Sequence, residues 1–168
     1  PNVMPAINRM PQVAGAVVTY IGELTAYKWL SMVDVSLNAN NPCVEASVAA
    51  ATADTTHSGA QRATSGTKAV TIPQGTGDLL DATKPFAVCY AESTGSTTDA
   101  TWRDSYVRVL ISKMETLTSH LVAHKTGGSI AKTPALQLTY GGSLAVAKWV
   151  SMVDATLKIQ IGNLTGEL

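Results

Sequence analysis

The chain reads as an all-β protein, an antiparallel β-sandwich with an extended N-terminal arm and a C-terminal strand extension. Three observations predict this. Apolar and polar residues alternate over several short stretches, and period two marks a strand with one face on a core. Clusters of Gly, Pro, Asn, Ser and Thr break those stretches at short intervals. One such stretch is written twice: Thr19 to Asn38 and Thr139 to Lys158 align without a gap at an offset of 120 residues, with 11 of 20 positions identical. An internal repeat of this kind is an architectural signal. It divides the chain into an arm over 1–16, a sandwich domain over 17–126, and a linker with a partial second repeat over 127–168.

The arm carries Pro1, Pro5 and Pro11, which favour extended backbone over helix. Val3, Met4, Ile7 and Met10 make it too apolar to be left in water. It is expected to lie on a surface, such as that of a neighbouring subunit. In the duplicated stretch, Gly22 and Gly142 suggest a bend ahead of the strand. Trp29, Ser31, Val33 and Val35 then share one parity, as Trp149, Ser151, Val153 and Ala155 do in the second copy. Leu30 and Met32 are apolar on the opposite parity, so a second covered face is expected. Trp29, Trp149, Val153 and Leu157 are read as anchors of a core or of an assembly contact. The alternative for the tryptophans is an exposed platform for stacking on sugars.

Asn38 to Cys43 is a turn, with Asn tolerant of left-handed backbone and Pro42 halting pairing. Residues 44–53 suit a strand or a short helix. Residues 54–67 form a polar loop with a lone His57, and 68–72 a short strand. Phe86 to Glu92 and Trp102 to Lys113 read as the two arms of a hairpin around a Ser/Thr-rich loop. Residues 114–122 suit a strand or a helical turn. His120 and His124 have the i, i+4 spacing of helical zinc ligands but no third ligand nearby. Gly127 and Gly128 hinge a linker into the second copy.

Composition narrows the function. The formal net charge is +0 and charged residues are 14% of the chain, against about 25% in a typical soluble domain. Balanced charge leaves no electrostatic footprint for nucleic acid or an anionic membrane. No run of 18 apolar residues predicts a membrane span. The chain starts at Pro1 with no signal peptide, which suits a processed form or a fragment of a longer product. Cys43 and Cys89 suit one disulfide, worth roughly 4 kcal/mol by loop entropy, or two buried thiols. A disulfide implies an oxidising compartment. Asn163 opens an N-glycosylation sequon, so glycans are candidate partners. Asp99, Arg103, Asp104 and Arg108 do not bring a nucleophile, base and orienting group together in a known spacing. Neither a cofactor nor enzymatic activity is implied.

AVCYAES, a Thr/Ser-rich loop and TWRDSYVRV resemble the last hairpin of an immunoglobulin- or fibronectin-like sandwich. With KWxSMVD and NNPC, the first 120 or so residues resemble the repeated domains of large surface proteins of algae and other protists. Trp29 precedes the first cysteine, whereas in antibody domains the tryptophan lies between the two, so this is not an antibody-type domain. The resemblance implies an extracellular structural or adhesive role and carries over no catalytic residue.

The second repeat holds the opening strands of the first and none of its hairpin. Two or three strands alone are marginal in water. The expectation is therefore a structural protein that polymerises head to tail, its C-terminal copy donated to the next subunit. The alternatives are an adhesin or carbohydrate-binding module using Trp102 and Tyr106 as ligand-facing aromatics, or a viral coat protein.

Overall fold

The computed structural model describes residues 8–119, 122–125, 130, 132 and 134–154. Among the described residues ten strands account for nearly all the regular structure, so the protein is all-β. The central sheet has five strands. β3 (Trp29–Asp34) and β6 (Pro85–Ala91) pair antiparallel through six residues, Trp29 opposite Ala91 and Asp34 opposite Phe86. β7 (Arg103–Ser112) continues the sheet beside β6, forming the hairpin that the sequence predicts. β4 (Gln61–Arg62) closes one edge and β1 (Asn8–Pro11) the other, in the order β1-β7-β6-β3-β4.

β1 departs from the purely antiparallel expectation. It runs parallel to β7, Asn8 opposite Val109 and Pro11 opposite Ser112. The described part of the arm thus lies on its own chain. Pro11 lacks a ladder donor and is tolerated because β1 is an edge strand.

Both faces of the central sheet are covered, as the two apolar parities of β3 require. On one face Leu30, Met32, Phe86, Val88, Val109 and Ile111 share a core with Val70 and Ile72 of β5 (Ala69–Ile72). β5 pairs antiparallel with β2 (Ala16–Thr19) in a two-stranded ribbon. On the other face Val33, Ala87, Cys89 and Ala91 meet Cys43, Ala49 and Trp102. Residues 44–53 supply one helical turn here, Ala46–Ala49, capped by the Glu45 side chain. Cys43 and Cys89 are joined in a disulfide that ties this loop layer to the middle of β6. Asp34 is 2% exposed and pairs with Lys84 at 2.6 Å. Burial alone would push its carboxyl up, but the bonds from Lys84 and Ser36 outweigh it and hold it below the ordinary value.

A separate three-stranded sheet follows. β8 (Met114–Ser119) lies between β9 (Val122–Lys125) and β10 (Leu138–Gly142), antiparallel to both. β9 is a strand, so His124 is not on the helix that zinc ligation at i, i+4 needs. No helix among the described residues is long and apolar enough to cross a membrane.

Candidate assembly surface

The two copies of the repeat begin by folding alike. Tyr20 donates its hydroxyl to the Thr25 carbonyl at 2.7 Å and accepts the Lys28 amide at 3.3 Å. Tyr140 does the same with Ala145 at 2.8 Å and Lys148 at 3.0 Å. The backbone repeats too. Gly22 and Gly142 have φ of 122° and 124°, a region open in practice only to glycine. Gly15 and Ala135, then Tyr27 and Ala147, also match with positive φ. Each tyrosine pins the turn that launches its tryptophan segment. The turn is thus a local property of the TYxGxL pattern, formed in both settings.

Beyond the turn the copies diverge. Trp29 enters the middle of the central sheet and is half-buried. Its indole donates to the Ser93 carbonyl at 3.2 Å, and the Arg62 guanidinium lies 5.5 Å from its ring. A Cβ at Gly95 would run into the indole, so that glycine makes the fit possible. Trp149 is fully exposed, with Met152 and Val153 at 63% and 65%. Residues 148–154 belong to no strand. Trp149 and Val153 are therefore not core anchors within the described chain, because Ser93, Gly95 and Arg62 are engaged by Trp29. Leu157 and Asn163 lie outside the described residues.

A second unfilled feature lies on the first unit. The ribbon β2–β5 covers only part of the central sheet. Beside β2 is an apolar groove of ≈ 760 Å³ floored by Leu30, Met32 and Val88 and walled by Met10, Val107 and Ile21. Ile21 is 95% exposed and Val17 63%. The far wall is shaped by an irregularity in β7, where the register to β6 shifts and Tyr106 takes a φ of 60°. Asp104 holds that kink by accepting from the Tyr106 amide at 2.7 Å and from both terminal nitrogens of Arg108 at 2.9 and 2.7 Å. The Arg108 bond and charge keep the Asp104 carboxyl below its usual range despite partial burial.

The ligand-facing reading of Trp102 is corrected. It is 1% exposed, packed under the disulfide layer, with its indole donating to Ser96 at 3.0 Å. The loop above it is held together by side-chain bonds to its backbone. Asp99 accepts the amides of Thr94, Gly95 and Thr101 at 2.6, 2.7 and 2.8 Å. Burial opposes ionisation there, but these bonds and the Thr101 hydroxyl drive the Asp99 carboxyl far below its ordinary value. Asp99 is thus a structural clamp. Tyr106 is 85% exposed at the groove mouth, so of the two aromatics only this one faces solvent. Among the described residues no group of three His, Cys, Asp or Glu is placed to hold a metal.

Sequence reasoning did not find the groove. The available signal was the apolar Ile21 just past β2, which lines the groove and is not buried by the ribbon. No family model, curated protein or solved structure matches the chain, so the reading rests on its own geometry.

Proposed function

We propose that this chain is a non-enzymatic structural protein that associates head to tail with copies of itself, outside the cell, into a filament or surface fibre. The observation that carries this is the apolar segment 149–153, launched by a preformed turn and left uncovered, on a chain whose first unit holds an uncovered groove. The two surfaces differ, so their contact is heterologous, and a heterologous contact that does not close on itself makes an open helix. The interior position that Trp29 occupies is held by β3, so the donated segment adds at the groove instead of entering between β6 and β4. A disulfide between two buried cysteines fits an oxidising compartment. The Asn163 sequon would then be available to glycans.

Light scattering and negative-stain imaging of the intact chain, of Trp149→Ser, and of a chain ending at Gly128 test this. The intact chain is expected to grow into polymers with concentration and the two altered chains to stay monomeric. Undiminished polymers from the Gly128 chain would show that the C-terminal copy is not the donor.

A further inference from the structure

The covering layer is narrower than the sheet beneath it. β5 and β2 make a two-stranded ribbon over a five-stranded sheet, and β5 lies against β4 at one side of that sheet. The groove opens beyond β2, toward the other side. Its walls hold Val18 and Thr19 of β2, Val107 of β7 and Met10 of β1, and no residue of β5. One edge of β2 is paired with β5. Among the described residues no strand pairs with the other edge, which borders the groove. An unpaired ladder edge beside an apolar floor suits an added strand, because the edge supplies backbone bonds and the floor takes alternate side chains.

The uncovered C-terminal segment has the sequence of a strand. Residues 149–154 differ from β3 at one position only, Val150 against Leu30. The same residues form a strand in the first copy and belong to none in the second. Alternation gives the segment two unlike faces. Trp149, Ser151 and Val153 form an uncharged one, while Val150 and Met152 share theirs with Lys148 and Asp154. Turning the second face down would carry both charges over Leu30, Met32 and Val88, so the first faces the floor.

We infer that residues 149–153 of one copy add as a strand to the free edge of β2 in the next, with Trp149 and Val153 on the groove floor and Val150 and Met152 turned outward. This rests on the assembly reading and identifies its contact. On β2 itself Val18 packs against the core, while Val17 and Thr19 are exposed. Thr19 therefore shares the outer face with Val150 and Met152, whichever direction the added strand runs. Ser151, between those two, points to the other face.

The described chain has no free cysteine, so added thiols report without background. Full chains carrying Thr19→Cys are mixed in turn with full chains carrying Val150→Cys, Ser151→Cys or Met152→Cys, Trp149 being kept in all. Mild oxidation by dissolved oxygen follows, and linked peptides are identified by mass spectrometry. The two thiols sit on different chains, so every mixed product is intermolecular. Thr98→Cys, exposed on the 93–101 loop, replaces Thr19→Cys as the control. A disulfide needs Cα atoms within about 7 Å and Cβ atoms that face each other. The better of the Val150→Cys and Met152→Cys products is therefore expected at least about fivefold above both the Ser151→Cys product and the control. Equal products at all three positions, or a Ser151→Cys product above its neighbours, would overturn the inference. So would products at control level from all three; if polymers still form in that case, this contact falls and the assembly reading stands. If the alternating pattern appears in species that never exceed a dimer, the edge of β2 is the seat and the filament reading falls.

Discussion

Replacing each tryptophan of the repeat by alanine should have opposite consequences. Trp29 is half-buried against Gly95, bonded to Ser93 and lies near Arg62. A fully buried Trp→Ala change costs about 3–5 kcal/mol. Trp29 keeps part of its surface in water, so Trp29→Ala should cost about 2–3 kcal/mol. For a chain of this size that lowers the melting temperature by roughly 5–10 °C. Trp149 is 100% exposed, and surface changes usually fall within about 0.5 kcal/mol. Trp149→Ala should leave the melting temperature of dilute monomer unchanged and weaken association at high concentration. Thermal melts of both variants at low concentration, with light scattering at high concentration, read both effects. Equal destabilisation of the dilute monomer by the two changes would refute the reasoning, since it would mean that Trp149 is packed within its own chain.

Other consequences follow from the same contacts. Replacing Cys43 and Cys89 by serine should cost roughly 4 kcal/mol by the loop-entropy estimate, seen as a lower urea midpoint. Part of that loss would come from burying two hydroxyls at residues that are now 1% exposed or less. Ser31 is fully buried with no hydrogen-bond partner for its hydroxyl among the described residues, so Ser31→Ala should leave stability unchanged or raise it by up to about 1 kcal/mol. A clear loss in the urea midpoint would mean that the hydroxyl is bonded after all. The carboxyls of Asp34, Asp99 and Asp104 are held below their ordinary value of 3.8. The unfolded chain therefore binds more protons as pH falls below about 4, and the stabilisation present above that pH is lost on the way down. Urea midpoints should be flat above about pH 5 and fall below about pH 4; a midpoint indifferent to acid would contradict the bonds described for these carboxylates.

Much of the fold was legible because alternation reports burial directly. The two parities of β3 and β6 are both apolar, and both faces proved to be covered. The Phe86–Lys113 hairpin was readable from its strands and its turn-forming loop. The helical turn at Ala46–Ala49 was ambiguous because alanine suits several settings, and the Glu45 cap that decides it is a local detail. The parallel pairing of β1 could not be read from periodicity, since it depends on which edge a proline-rich arm meets. Trp102 illustrates the limit for sites. Its neighbours are polar, so local sequence suggested a surface aromatic. Its burial comes from the disulfide layer, brought over it by contacts distant in sequence. The groove was hidden for a related reason: it depends on how far the β2–β5 ribbon reaches across the sheet, which periodicity does not report.

The central claim is that copies of this chain complete one another. Negative-stain images of the intact chain across a rising concentration series test it most directly. The account predicts thin, open-ended polymers that lengthen with concentration. Monodisperse single chains at every concentration, with Trp149 as open to solvent-borne quenchers as in the dilute protein, would contradict it.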